Sequence, residues 1–363
     1  MPQMFPSWRL VSYTTRLFLT RSLAVLVSLA LVLMTLNLLS ESGKILRVPG
    51  NGEAELWQYV SLRLPQLLSF AFPFSFLLGT LITFTVLNQN SEVIAMKSAG
   101  LSAHQIIAPL VATSLALAGV SFAFNEFVVT DATRTLSAWD DNDYRPLPPE
   151  SGVLSNVWLA ADEDMVRTRL VAGSGPGTRL ERVTIFDREG SAIARVIDAE
   201  SAVPQGDGWL LRGVRVYDSG MNLQRRLPAM SALEGVEPGR FTLARVDPES
   251  LDFFTLREAI HELQLAGRPT AAAEAALWHK ISAPLSTVLM PLLAGVAAFG
   301  LARSGKVLLR AAVGMGLGFS FFVADNFALA MGNVGAYPPL LAAWAPFVLF
   351  LLIGETVLIR SEE

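Results

Sequence analysis

One stretch of the chain comes close to the pattern of a nucleotide-binding loop. The run GLARSGKV, at positions 300–307, nearly matches G-x-x-x-x-G-K-[ST], whose backbone and lysine hold phosphates. The match fails at Val307, because the last position needs a hydroxyl group that binds magnesium. The run also follows a long apolar segment, whereas a phosphate-binding loop follows a strand. The sequence therefore predicts a basic turn here and no ATPase site.

Other residue types that carry enzyme chemistry are scarce in the 363 residues. There is no cysteine, which excludes a thiol nucleophile, disulfides, cysteine-ligated zinc and iron–sulfur clusters. The three histidines, His104, His261 and His279, are widely separated and do not predict a histidine-rich metal site. No G-x-S-x-G pattern is present, and the net charge of −4 gives no basic field for nucleic acid. We therefore expect no catalytic residue, no metal and no cofactor.

Charged side chains within long apolar runs are more informative, because an unpaired charge in lipid is costly. Asp325 and Asn326 lie deep in such a run, and we expect Asp325 to face a cavity or a neighbouring helix. Arg63, Glu126 and Glu355 lie nearer the ends of their runs, where long side chains can reach the interface.

The stretch NSEVIAMKSAGL, at 90–101, is too polar to span a bilayer and carries the signals of a short helix. Asn90 or Ser91 can cap its first turn with a side-chain oxygen. Glu92 and Lys97 suit the positive and negative ends of the helix dipole.

The remaining residues of this helix suggest how it ends and what it contacts. Gly100 can adopt the left-handed conformation that stops a helix. Val93, Ile94 and Met96 must be covered, either by the bilayer surface or by the groove of a cytoplasmic partner. The residues leave both interpretations open. The candidate functional residues of the helix are Ser91, Glu92, Val93, Met96, Lys97 and Gly100.

Six segments are long and apolar enough to span a bilayer, which takes about 20 mainly apolar residues. Hydrophobic residues make up 52% of the chain and charged residues 17%, which is typical of membrane proteins. The segments lie at about 20–40, 62–87, 104–128, 279–302, 311–332 and 338–359. Gly314 and Gly318 in the fifth allow a close helix approach, either within this bundle or with a second subunit.

The flanks of these segments indicate their orientation. Basic residues concentrate in 1–21, in 303–310 and, with Lys97, in 88–103. By the positive-inside rule these three flanks face the cytoplasm, and both termini do as well.

The block between the third and fourth spans has a different character. Short alternating runs such as RVTIFDREG and GWLLRGVRVYDSG are separated by glycine-rich turns, which predicts an all-β sandwich or jellyroll. We therefore expect an α-helical membrane bundle of six transmembrane helices with an inserted all-β domain, a sandwich or a jellyroll, outside the cytoplasm. The predicted divisions are a membrane half at 1–130, the β domain at 131–252, an amphipathic connecting helix at 253–278 and a second membrane half at 279–363.

Five runs in this order resemble one protein family. NSEVIAMKSAGLSAHQIIAPL is similar to the cytoplasmic coupling segment of the LptF/LptG family, the permeases of the lipopolysaccharide exporter. FNEFVVTDATRTL, RVIDAESAVPQGDGWLLRGVRVYDSG, LWHKISAPLSTVLMPLLA and GAYPPLLAAWAPFVLFLLIGETVL resemble its third-span exit, β-jellyroll, fourth span and sixth span. The resemblance covers nearly the whole chain, and the last run is closer to LptG than to LptF.

The resemblance implies a permease subunit of an ATP-driven ABC transporter in the bacterial inner membrane, without catalysis of its own. Its partners would be a cytoplasmic ABC ATPase dimer, docked on the helix around Glu92, a paralogous permease and a membrane-anchored periplasmic jellyroll protein. The inserted all-β domain would be a periplasmic jellyroll, and lipopolysaccharide would leave through it towards the bridge to the outer membrane. Lys44, Arg47 and Arg63 are candidates for contacts with the lipid A phosphates, by position and charge.

Two other functions remain open from the residues alone. One is a membrane sensor or mechanotransmitter whose periplasmic domain binds a regulator. The other is a proton-coupled carrier that uses Asp325 and Glu126, although a chain of titratable groups through the membrane is not evident.

Overall fold

The computed structural model describes residues 7–146, 154–161, 164–173, 177–189, 192–238, 241, 248–265, 269–300 and 307–360. Its first helices are α1 (Trp8–Ile45), α2 (Glu53–Gln89), the short α3 (Glu92–Ser98) and α4 (Ala103–Phe124). A π-helical turn (Asn125–Val129) joins α4 to α5 (Thr130–Asp141). After the β domain come α6 (Phe253–Leu265), α7 (Ala271–Gly300), α8 (Val307–Asn333) and α9 (Pro339–Arg360). Within the described residues six helices are long and apolar enough to cross a membrane, which confirms the predicted six spans.

The third span is longer than its apolar part. The helix continues without a break through the π turn to Asp141, so the division placed at residue 130 lies inside a continuous helical segment. Hydropathy detects only the apolar part of such a helix, because α5 is polar and projects beyond it.

Helix α7 lies at the centre of the bundle and packs against α2, α4, α8 and α9. Its small and aliphatic residues Leu289, Leu293, Ala294 and Ala297 are fully buried. By contrast, α1 packs on α2 and α4 at the edge of the bundle and leaves one side with exposed leucines.

Two glycine contacts show how closely the helices approach. A Cβ on Gly314 would lie 2.6 Å from Cδ2 of Leu81, and a Cβ on Gly318 would meet Leu77. Both leucines belong to α2, so this pair of glycines packs inside the chain rather than against a second subunit.

The inserted domain is a six-stranded antiparallel sheet, which confirms the prediction of an all-β insertion. Its strands are β1 (Leu154–Ala161), β2 (Asp164–Ala172), β3 (Arg179–Glu189), β4 (Ala192–Gln205), β5 (Gly208–Asp218) and β6 (Leu223–Ala232). Each strand pairs with the next along the chain, so the described strands form an open meander. The structure thus specifies a sequential topology, which short turns between neighbouring strands permit.

The alternation of buried and exposed residues is broken along a line across the middle of this sheet, which we call the crease. An undisturbed strand buries every second residue, but in three neighbouring strands the buried positions are three residues apart. The buried residues on either side are Leu180 and Val183 in β3, Ala199 and Ala202 in β4, and Leu211 and Val214 in β5. These positions face each other, since Leu180 pairs with Ala202 and Ala202 with Leu211.

The backbone of the crease explains the irregular step. Arg182 has φ 52° and Gly213 has φ 66°, both in the left-handed region. In β3 and β5 such a residue re-aims the chain, so two consecutive side chains point away from the sheet's core. Strand β4, which lies between these two strands, shows the same three-residue step. For a non-glycine residue such as Arg182 this conformation is uncommon and costs free energy.

Candidate functional site

The short helix α3 is stopped sharply at its C-terminus. Gly100 has φ +87°, its N–H donates to the carbonyl of Lys97 at 2.9 Å, and the N–H of Leu101 donates to that of Met96 at 3.2 Å. These two bonds form a Schellman motif, which confirms the predicted role of Gly100. Ser102 then caps α4 by accepting a hydrogen bond from the Gln105 N–H at 3.2 Å.

The start of α3 differs from the prediction. Ser91 occupies the N-cap position with φ 58°, and its side chain makes no capping hydrogen bond. Asn90 does not cap the helix either: it lies at the C-cap of α2, and its amide donates to the carboxylate of Glu92 at 3.2 Å. The predicted capping by Ser91 or Asn90 is therefore wrong: the tight turn from α2 places Ser91 in the left-handed region, whereas a side-chain cap needs extended backbone.

The apolar residues of α3 divide between two sides. Val93 and Met96 are 4% and 8% exposed, and both belong to the core of the membrane bundle. Ile94 is 66% exposed and points away from that core. The sequence predicted that the bilayer surface or a partner covers Val93, Ile94 and Met96. This is wrong for Val93 and Met96, because both pack on the chain's own helices.

Polar contacts join α3 to two membrane helices. The hydroxyl of Tyr13 in α1 donates to Oε1 of Glu92 at 3.2 Å. The ammonium of Lys97 lies 5.1 Å from the ring centroid of Phe299 in α7, within the range of a cation–π contact. The short helix is thus attached to the first and the fourth span.

A third contact near this end of the bundle was not foreseen from the sequence. Nε2 of His104, at the start of α4, lies 3.2 Å from Oε2 of Glu355 near the end of α9. The two residues are far apart in the chain, so neither position alone indicates the pair.

At the other end of the bundle the three candidate basic residues are not brought together. Lys44 pairs with Glu41 at 2.9 Å, and it lines a shallow pocket with Arg47 and Tyr144. Arg63 belongs to a separate cavity deeper in the bundle. Burial raises the pKa of the Tyr144 phenol far above its usual value, and hydrogen bonds to carboxylates raise it further, so the group stays a neutral donor.

Arg63 is fixed by a polar network. Its Nε donates to Oδ1 of Asn37 at 3.1 Å, and its guanidinium also donates to Gln66. The Gln66 amide in turn donates to the hydroxyl of Thr133 at 2.8 Å. The network links α1, α2 and α5, so Arg63 has a structural task besides any contact with a ligand.

The cavity that contains Arg63 has a volume of about 930 Å³ and lies among α2, α4, α7 and α8. Asp325 faces this cavity, as predicted, and its Oδ2 lies 3.0 Å from Nε2 of His279. Asn326 is exposed, and its amide bonds to the carbonyl of Phe322 in its own helix at 2.9 Å. The partner of Asp325 is thus a histidine that sequence reasoning had set aside.

Glu126 also borders the cavity, where it connects the third span to the helix that follows the β domain. Its buried carboxylate accepts a hydrogen bond from the N–H of Phe253, the first residue of α6. Nearby, Nε of Arg134 donates to the carbonyl of Ser250 at 3.1 Å. Both bonds fasten the start of the connecting helix to the third span.

Among the described residues, no cluster of histidine, aspartate and glutamate is arranged to hold a metal ion. The run that resembles a phosphate-binding loop falls largely on 301–306, outside the described residues.

Comparisons with known proteins match one protein family over nearly the whole chain. The family model "Lipopolysaccharide export system permease LptF/LptG" matches residues 12–360. The lipopolysaccharide export system permease protein LptG of Escherichia coli K12 is 25% identical over 353 residues, covering 94% of each chain. The protein of the same name from Haemophilus influenzae is 26% identical over 355 residues, covering 94% of this chain and 97% of its own. The chain described here therefore belongs to the LptF/LptG family of lipopolysaccharide export permeases.

Proposed function

We propose that this chain is the permease subunit of an ATP-driven ABC transporter that moves lipopolysaccharide out of the inner membrane. The observation that carries the proposal is the two-sided packing of α3. Val93 and Met96 anchor the helix in the bundle, while Ile94 offers an apolar side chain to a partner.

This arrangement suits the transmission of force from a separate ATPase. A groove on a cytoplasmic ABC ATPase would take up the Ile94 side of the helix. Any displacement of α3 would pass to α1 through Glu92 and Tyr13, and to α7 through Lys97 and Phe299. Since no ATP-binding site is expected in this chain, hydrolysis would occur in a dimer of that partner, beneath this permease and a paralogous second one.

The proposed membrane topology follows from the distribution of basic residues. Basic flanks support a cytoplasmic position for both termini and α3, and the β domain would then lie in the periplasm. Lys44 and Arg47 then lie at the outer end of α1, where they would contact lipid A phosphates, with Arg63 deeper in the bundle.

The sheet would carry the glycolipid onward. Among the described strands, β1 and β6 each pair on one side only, so both edges can accept another strand. Strand addition by a membrane-anchored periplasmic jellyroll protein would extend the apolar face of the sheet towards the outer membrane.

Substitution of Glu92 by arginine is expected to leave insertion intact and to abolish co-purification of the ATPase. The change removes the carboxylate and places a cation at the N-terminal, positive end of α3, where it is disfavoured. Tyr13→Phe is the matched control, because it removes only the internal hydrogen bond and should weaken binding no more than a few-fold. Normal ATPase recovery and normal export with Glu92→Arg would contradict the docking proposal.

A proton-coupled carrier is the second candidate, favoured by the His279–Asp325 pair in the cavity. We expect Asp325→Asn to leave ATP-dependent export near the wild-type rate, since an amide oxygen can still accept a hydrogen bond from the imidazole. Export is measured in proteoliposomes at two pH values, with Asn326→Ala as the neighbouring control. Loss of a pH-dependent uptake with only the first variant would favour the carrier instead.

A further inference from the structure

The outward face of the crease carries an unusual concentration of positive charge. A pocket of about 570 Å³ opens there, and five arginines line it against three carboxylates. The arginines are Arg145, Arg167, Arg169, Arg182 and Arg215. Arg145 follows the end of α5, while the others come from β2, β3 and β5.

Two of the nearby carboxylates pair with arginines other than Arg145, Arg182 and Arg215. Asp143 pairs with Arg169 at 2.5 Å, and Glu181 lies 4.0 Å from Arg179, outside the pocket. Asp198 accepts a hydrogen bond from the hydroxyl of Thr184 at 2.7 Å.

Three of the guanidinium groups therefore keep their donors available. Among the described residues, no carboxylate lies within ion-pair distance of Arg145, Arg182 or Arg215. Each group offers a planar fork of N–H donors that matches the oxygens of a phosphate.

The electrostatics of Arg182 agree with this geometry. Burial lowers the pKa of its guanidinium, and the positive charges of Arg145 and Arg169 lower it further. Its backbone is held in the uncommon left-handed conformation, and its side chain lines the pocket. The fold therefore keeps several positive charges close together around a residue with a strained backbone. A bound anion would relieve the repulsion between these charges.

We propose that Arg145, Arg182 and Arg215, the crease arginines, bind a phosphate group on the outward face of the sheet. The site adjoins the outer end of α1, because Arg145 also lines the pocket that contains Lys44 and Arg47. An anionic lipid headgroup and free phosphate share the chemistry that this site recognises. The inference does not depend on the transport proposal, since binding is measured without the ATPase.

The test uses the full chain in detergent and measures ligand binding by native mass spectrometry and calorimetry. The probes are bisphosphorylated lipid A, the same lipid without its phosphates, phosphatidylglycerol, phosphatidylcholine and inorganic phosphate. The variant combines Arg145→Gln, Arg182→Gln and Arg215→Gln. Arg225→Gln is the control, since Arg225 is exposed on β6 and lies outside the pocket.

We expect the triple variant to bind phosphate-bearing probes about tenfold more weakly, as for the loss of charge-assisted hydrogen bonds. The control variant should bind like the wild type, and added salt should weaken wild-type binding. Binding of phosphorylated lipids alone would identify a headgroup as the ligand, and binding of inorganic phosphate as well would identify a soluble anion.

Two results would overturn the proposal. The first is equal affinity of the triple variant and the wild type for every probe. The second needs no variant, and so remains decisive if the triple variant fails to fold: equal wild-type affinity for lipid A with and without phosphates.

Discussion

Ile94→Asp is expected to break the complex with the ATPase while the permease itself stays folded. The side chain is 66% exposed, so a carboxylate there remains hydrated in the free protein. In the complex the same carboxylate would lie in an apolar groove without a partner, which is strongly unfavourable. We expect the loss of a hot-spot contact, about 2 kcal/mol or more.

The measurement is the amount of ATPase that co-purifies with the tagged permease, together with ATP-dependent export in proteoliposomes. Ile193→Asp provides the matched control, because Ile193 is an exposed isoleucine in the β domain. The control should retain both the complex and export. If Ile94→Asp retained the ATPase in full, the exposed side of α3 would not be the docking surface.

Gly79→Val is expected to separate the first two spans. A Cβ at this position of α2 would lie 2.8 Å from the Cα of Ser22 in α1, and backbone cannot yield as a flexible side chain does. Overpacking of a close contact costs about 1–3 kcal/mol, and a contact with backbone belongs at the upper end of that range. The midpoint of thermal unfolding in detergent should fall by several degrees.

The control for this substitution is Gly119→Val in α4. A Cβ on Gly119 has no atom within 4 Å, so the same change adds volume in open space. Its unfolding midpoint should stay near that of the wild type. Equal stability of the two variants would show that α1 and α2 do not approach each other through Gly79.

The six spans were predictable because a bilayer demands long apolar segments, and hydropathy alone detects them. The end of α3 was predictable for a similar reason: Gly100 is the residue type that takes a left-handed conformation without steric cost. Ser91 was misjudged because capping preference is a statistical tendency, whereas the turn between two packed helices determines its backbone conformation.

Features that depend on tertiary packing could not be predicted from the chain. The helical pattern shows that α3 has apolar residues, but only its docking on the bundle separates Val93 and Met96 from Ile94. The crease escaped notice because strand alternation was assumed to continue unbroken through Arg182. The spacing of Gly314 and Gly318 was visible in the sequence, whereas Gly79 is a lone glycine whose importance comes from Ser22 across the contact.

The uninterrupted helix from Ala103 to Asp141 has a mechanical consequence for the β domain. Its 39 residues span about 58 Å at 1.5 Å per residue, well beyond a hydrocarbon core of about 30 Å. The helix therefore extends beyond the membrane, and its length sets the distance between the sheet and the membrane surface. The π turn at Asn125–Val129 changes the helical phase within this helix, so it also sets the rotation of the sheet about the helix axis.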